Sequence, residues 1–470
     1  MTSSSGTVPT HARSAVFWSS LNGVAAVGLP FAVFTCFARL MTPDQFALVG
    51  LALAALEMLK TLAPQGLYDV LVTHDERERA YHEAAAAILL GSAAVIMAAF
   101  VGLLAVSQAV FGMHMPGIVY GLAAKVLFDL ALLQPQAAMV RRGEIRRLST
   151  RSLYSGLIGA LCGLPLGMVA SPMGGLVAFY VVQSLVTFLA TVWGADILVA
   201  PRYHRAAAQD MLGQGLRASG VRIAAGGNNY LDQLLVGRMF LPRMVGDFNL
   251  GKRIEIVSVT IASSMAQILW QPRFATSGVD DRRGVMARGV ASVALVCGVP
   301  VVLFCMLAQV AVPFVFGQHW ASAAPVVAVL AASGAVRALG SVAGTVLTVT
   351  QRNGLLLRIS LGGLIANIAI ILIGAPYGLF ITAIGILVRS VALSFSQYVM
   401  VREMRRDMAW VVLDNFLVPL ALVAVACLTG RLVAAQLLAG LSGPLHDGLY
   451  LALSCSAGLA AGIALLFRKL

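Results

Sequence analysis

Apolar runs of about 20 residues, repeated from one end of the chain to the other, constrain its fold more than any other feature. A run of that length spans the hydrocarbon of a bilayer as a helix, where the backbone must satisfy its own hydrogen bonds. Fourteen runs are traced, at residues 14–39, 45–71, 84–108, 117–140, 150–170, 174–198, 212–238, 248–270, 287–311, 322–349, 354–374, 377–400, 411–431 and 447–467. The 470 residues are 59 % hydrophobic and 11 % charged, against roughly 25 % charged in soluble domains. The chain therefore reads as an all-α polytopic membrane protein with about 14 transmembrane helices. No polar stretch is long enough for a soluble domain. The first ten residues are a polar tail, and the run after Arg13 is too long for a signal-peptide core, so it reads as a retained first helix.

Charge in the connecting segments sets the expected orientation. Of the 33 Lys and Arg residues, 21 fall in the tails and in loops on the N-terminal side, with five Arg in residues 141–151 alone. Four lie on the opposite side (Arg39, Arg238, Arg243 and Arg431), and the other eight lie inside runs. That bias places both termini in the cytoplasm. A net charge of +13 in this setting points to anionic lipid headgroups and not to nucleic acid.

One passage is written twice. Residues 38–60 run from an Arg at the end of an apolar run, through Thr42-Pro43-Asp44, into a new run carrying Glu57 and Lys60. Residues 237–255 repeat this grammar, with Arg39, Pro43, Phe46 and Ala47 matched by Arg238, Pro242, Val245 and Gly246 at an offset of 199. Pro suits the first turn of a helix, where its missing N–H is no loss. Each copy therefore predicts a helix end, a turn and a helix start. A second match, Arg141, Gly143 and Arg147 with Arg352, Gly354 and Arg358, recurs at an offset of 211. The expected organisation is two parallel six-helix bundles, residues 1–208 and 209–408, with two extra helices in 409–470.

Ionisable groups inside the runs are the candidate functional residues, because each costs about 2.5–3.5 kcal/mol at the bilayer centre. Glu57 with Lys60 and Lys125 with Asp129 have the spacing of pairs that neutralise each other on one helix face. Lys252 and Arg253 stand near a run end, where snorkelling to the surface is one reading and a place in a charged cavity the other. Asp232 and Glu255 complete the set of charge-pair candidates. Arg222, Arg337 and Arg389 sit near mid-run with no carboxylate one helical turn away in sequence, which points to a wet cavity or an anionic ligand. Arg222, Asn229 and Gln233 share a helix face, and Asn22 stands among Gly23, Gly28 and Pro30 in a first helix that is expected to bend. The cationic, substrate-binding candidates are thus Arg222, Arg337, Arg389, Lys60 and Arg253, with Asn22 and Asn229 beside them.

Catalytic signals are poor. The seven His form no ligand cluster, the six Cys fall inside apolar runs and read as small buried residues, and no Gly-rich phosphate loop follows a strand. His319-Trp320 reads as an interfacial aromatic loop. No metal, cofactor or enzymatic activity is expected.

The motif A-R-x-x-x-P-x-x-F at residues 38–46, the stretch NYLDQLLVGR at 229–238, and the repeated topology resemble the bacterial O-antigen and exopolysaccharide flippases of the multidrug/oligosaccharidyl-lipid/polysaccharide exporter superfamily. Ala47 stands where that family usually has Gly, and Gly246-Asp-Phe-Asn249 stands for its G-x-Y/F-N. The resemblance implies a V-shaped pair of bundles, alternating access, and a cationic cavity lined by spans 1, 2, 7 and 8. It also implies an undecaprenyl-diphosphate-linked oligosaccharide as cargo, moved to the outer leaflet of the inner membrane by an ion gradient or the membrane potential. A polysaccharide polymerase and export machinery are the implied partners. Competing readings are a lipid II flippase or drug/cation antiporter of the same superfamily, a membrane-embedded glycan polymerase or acyltransferase, and a non-transporting scaffold.

Overall fold

The computed structural model describes residues 28–73, 79–111, 116–142, 144–195, 200–276, 278, 281–401, 407–438 and 444–467. Among these there is no strand, and the described parts of the apolar runs are helical, except that the 45–71 run is broken by a turn at 62–66 that divides it into two helices. The contacts sort the chain into two compact units, residues 1–37 with 55–226, and residues 38–54 with 227–470.

The first unit holds the start of α1 (Gly28–Leu40) and the end of α2 (Pro43–Thr61). These are followed by α3 (Leu67–Thr73), α4 (Arg79–Phe111), α5 (Ala123–Ala131), α6 (Leu133–Arg141), α7 (Ile145–Val169), α8 (Pro172–Ala195) and most of α9 (Arg205–Met239). In lipid, helices gain nothing from hiding apolar surface from hydrocarbon, so they associate through close backbone approach. The α7/α8 pair shows this: a Cβ on Gly163 would stand 2.7 Å from the carbonyl oxygen of Gly175.

The second unit holds the end of α9, then α10 (Pro242–Met265), α11 (Gln271–Thr276), α12 (Arg282–Val293) and α13 (Val299–Phe316). It continues with α14 (Ala324–Val349), α15 (Asn353–Gly374), α16 (Leu379–Val399), α17 (Met408–Val412), α18 (Val418–Leu437) and α19 (Pro444–Phe467). Its apolar core is built around Trp270, Phe274, Val290, Val342, Phe416 and Cys427. Three rods, α10–α11, α12–α13 and α17–α18, are each joined by one π turn, at 266–270, 294–298 and 413–417. Each π turn is followed at the same offset by a proline, Pro272, Pro300 and Pro419. A proline ring clashes with the carbonyl four residues back, and the widened turn absorbs that clash without breaking the rod.

Both copies of the repeated passage fold as expected: α2 begins at Pro43 and α10 at Pro242. The first is closed by a capping box, with Gln45 N–H donating to Thr42 Oγ1 at 3.3 Å and Thr42 N–H to Gln45 Oε1 at 3.2 Å.

Among the described residues ten helices are long and apolar enough to cross a membrane. The fourteen-span reading adds α1, α2, α9 and α10, which apolar length alone does not establish. The described part of α1 is short, and each of the other three carries interior charges. These are also the four spans to which the resemblance assigns the cavity. The reading of the cysteines is corrected: Cys36 and Cys162 are exposed and not buried. Trp320 is fully buried, its indole N–H donating to the carbonyl of Ala38 at 2.8 Å, so the 318–323 turn clasps the end of α1.

Candidate functional site

Interior charges gather in two places, one in each unit. In the first unit α2 brings Glu57 and Lys60 to α5, which carries Lys125 and Asp129. The expected separate pairs are one ring: Lys60 Nζ reaches Glu57 at 2.9 Å and also Asp129, while Lys125 Nζ reaches Glu57 at 2.8 Å and Asp129 at 2.5 Å. Two ammonium groups bridge two carboxylates, so the ring is neutral, and no member is more than 25 % exposed.

The second unit holds a longer network. Lys252 on α10 is fully buried between Asp232 of α9 and Glu255, whose Oε2 lies 3.0 Å from its Nζ. Of the two readings of Lys252, snorkelling is the one that fails. Its run begins earlier than the apolar pattern shows, at Pro242, which sets Lys252 nearly three turns inside the helix. Glu255 Oε1 accepts from Arg337 Nη1 of α14 at 2.6 Å, and Arg337 Nη2 donates to Asn229 Oδ1 at 2.6 Å. Ser333 donates to Glu255 at 3.4 Å and lies 2.8 Å from Ser390 of α16. Arg337, which has no carboxylate nearby in sequence, finds one from a different helix.

Arg389 on α16 is 3 % exposed. Its Nη1 donates to Asn228 Oδ1 at 3.3 Å and to the carbonyl of Gly363 at 3.5 Å. Asn228 in turn donates through Nδ2 to the carbonyl of Ser360 at 2.8 Å, which fixes its amide. Adjacent asparagines on α9 thus hold two guanidinium groups, Asn228 holding Arg389 and Asn229 holding Arg337. Three cations (Lys252, Arg337, Arg389) stand against two carboxylates (Asp232, Glu255), so this network is net positive. Arg253 is half-buried one residue beyond Lys252, turned about 100° around α10 from it. Asn22 and the side chain of Arg222 lie outside the described residues. Asn228, Ser333 and Ser390 were not singled out in the sequence; the signal for the first was the polar dyad Asn228-Asn229 directly after Gly226-Gly227. Among the described residues no group of His, Cys, Asp and Glu is arranged to hold a metal ion.

Residues 36–325 match the sequence profile of the family described as "Polysaccharide biosynthesis protein". The chain belongs to this family. A relative within reach of direct alignment is the "Succinoglycan biosynthesis transport protein ExoT" of Rhizobium meliloti (strain 1021), 23 % identical over 340 residues. That match spans 68 % of this chain and 65 % of the relative, just under two thirds of its length. Among solved structures, "Lipid II flippase MurJ, inward closed conformation" superposes with a TM-score of 0.67 at 10 % identity, over 97 % of this chain and 98 % of that one. An outward-facing multidrug resistance MATE transporter of the MOP superfamily gives 0.58 at 14 % identity, over 85 % and 97 %. At such identities these likenesses establish the fold, the helical architecture of MOP-superfamily transporters. Those relatives are named as transporters and flippases; the polysaccharide biosynthesis family member described here is a multi-pass membrane protein that shares their fold.

Chemically, the two sites of this family member differ. The neutral ring can tie α2 to α5 but offers no net charge. The positive network can hold an anion, and its forked donors suit phosphate more than a single-point ammonium does.

Proposed function

We propose that this protein is a flippase that carries an undecaprenyl-diphosphate-linked oligosaccharide from the cytoplasmic to the outer leaflet of the inner membrane. It does so by alternating access, in surface polysaccharide or exopolysaccharide synthesis. The observation that carries this reading is the cation surplus in the second unit, where Asn228 and Asn229 hold two guanidinium groups in a chain of the polysaccharide biosynthesis family. A diphosphate needs compensating charge inside the membrane, and its lipid tail can stay in hydrocarbon. The succinoglycan transport relative supports cargo of this class. The driving force is an ion gradient or the membrane potential, both termini face the cytoplasm, and a polymerase with export machinery receives the product.

A lipid II flippase is the second reading, favoured by the likeness to MurJ over nearly the whole chain. Its substrate chemistry suits the same cationic network. A drug/cation antiporter fits less well, because a net-positive network repels its cargo.

Leaflet-resolved labelling of lipid-linked sugar in a deletion strain without a redundant flippase tests the proposal. The oligosaccharide is expected to accumulate on the cytoplasmic leaflet, and surface polysaccharide to fall while peptidoglycan stays normal. Normal appearance of the oligosaccharide in the outer leaflet overturns the reading, and arrested peptidoglycan with normal polysaccharide favours the second.

A further inference from the structure

Arg389 differs from its neighbours. Lys60, Lys125, Lys252 and Arg337 each bear on a carboxylate. Arg389 is more buried than all of them but Lys252, yet it meets only an amide oxygen and a backbone carbonyl, both at the long edge of hydrogen-bond range, and its Nε has no partner. Asp232 and Glu255 act on it only at longer range, against the repulsion of Arg337. A guanidinium does not shed its proton, so the charge stays, in surroundings that penalise an unpaired ion heavily. An unpartnered buried group of this kind calls for something to complete it, and a bound water, ion or ligand can do so.

We propose that Arg389, oriented by Asn228, is an anion-binding site inside the second unit that takes phosphoryl oxygens, either from a lipid-linked diphosphate or from a free anion in solution. Asn228 is the positioning residue. Its Nδ2 is fixed on the Ser360 carbonyl, so its Oδ1 must face the guanidinium and engages Nη1. That leaves Nε and Nη2, the side-on edge with which arginine grips two oxygens of one oxyanion. One negative charge placed there balances the three cations and two carboxylates of the network. Arg337 is the contrasting case: both of its terminal nitrogens are taken, by Glu255 and Asn229, and its role is to hold the network together. The inference deepens the flippase reading and rests on it only for the lipid-linked source.

The opposite roles give opposite stabilities. Arg389→Gln removes an unpaired buried charge and is expected to unfold at or above the temperature of the parent protein when no binding anion is present. Arg337→Gln strips Glu255 of a partner and unfolds below it.

The test is thermal unfolding of the purified full chain in detergent. It is run in sodium gluconate at fixed ionic strength, with inorganic pyrophosphate or farnesyl diphosphate titrated in. The parent protein is expected to gain about 3 °C, saturably, by mass action. Arg389→Gln should not respond, and Asn228→Ala should respond only at about tenfold higher concentration. Arg389→Lys keeps the charge without the fork, and its half-saturation should also move up about tenfold. Half-saturation by farnesyl diphosphate below that of pyrophosphate assigns the site to the lipid-linked diphosphate; an equal or weaker response assigns it to a solution anion. A parent protein that ignores both probes, an Arg389→Gln protein that responds like the parent or unfolds well below it, or an Arg389→Lys protein with unchanged half-saturation overturns the proposal. Anion binding that persists in a protein shown not to move the oligosaccharide brings down the flippase reading alone.

Discussion

Asp232, Lys252 and Glu255 are completely buried, and each carries a charge that hydrocarbon penalises. They survive together because Lys252 lies between the two carboxylates and Arg337 takes the far side of Glu255. Removing the central cation therefore does more harm than removing an outer one. Lys252→Met is expected to lose about 3–5 kcal/mol, since it strands Asp232 without its ion partner. Lys60→Met, in the first unit, leaves Lys125 still bonded to both Glu57 and Asp129, and should lose nearer 2 kcal/mol. Denaturation of the two variants in detergent ranks them, and equal losses would mean that the buried network is not held by Lys252.

At the level of helices, ends and crossings are set by a few groups. The last turn of α1 is clasped twice: Trp320 and His319 approach the Ala38 carbonyl at 2.8 and 3.2 Å, and Arg39 donates to the carbonyls of Phe314 and Val315 at the end of α13. Trp320→Phe keeps the edge-to-face packing on Phe46 but loses the indole bond, a loss of about 1 kcal/mol that a lowered unfolding midpoint will register. Where α2 crosses α10, a Cβ on Gly246 would overlap the carbonyl oxygen of Pro43. Gly246→Val pushes the two helix starts apart and should destabilise by about 2–3 kcal/mol. The same substitution at Gly284, where a Cβ meets open space, should be nearly silent. If both variants unfold with the parent, the crossing is not tight.

For the whole molecule the open quantity is how many helices cross. α9 has 35 residues, about 52 Å of helix, ample for a bilayer, but its charges and amides keep it from meeting an apolar criterion. Topology reporters fused after Arg202 and after Leu241 bracket this one helix. They are expected to report opposite sides, with Arg202 in the cytoplasm in line with the arginine bias of its loop. The same side for both would mean that α9 does not cross, and the fourteen-span reading would fall.

The class of molecule was legible from the amino acids alone, because run length against bilayer thickness and an 11 % charge content leave few alternatives. So was the duplicated turn, since Pro43 and Pro242 act within their own helices and need no partner from elsewhere. The interior charges were visible as residues but not as partners. Spacing along one helix shows Glu57 with Lys60, but it cannot show that Asp129 and Lys125 close the ring from α5. It made Arg337 and Arg389 look alike, two mid-run arginines without a local carboxylate. Helix packing separated them: α10 delivers Glu255 to Arg337, whereas α15 offers Arg389 only a backbone carbonyl. Electrostatics acts through space over a few ångströms, and only the tertiary structure decides which residues lie within that distance.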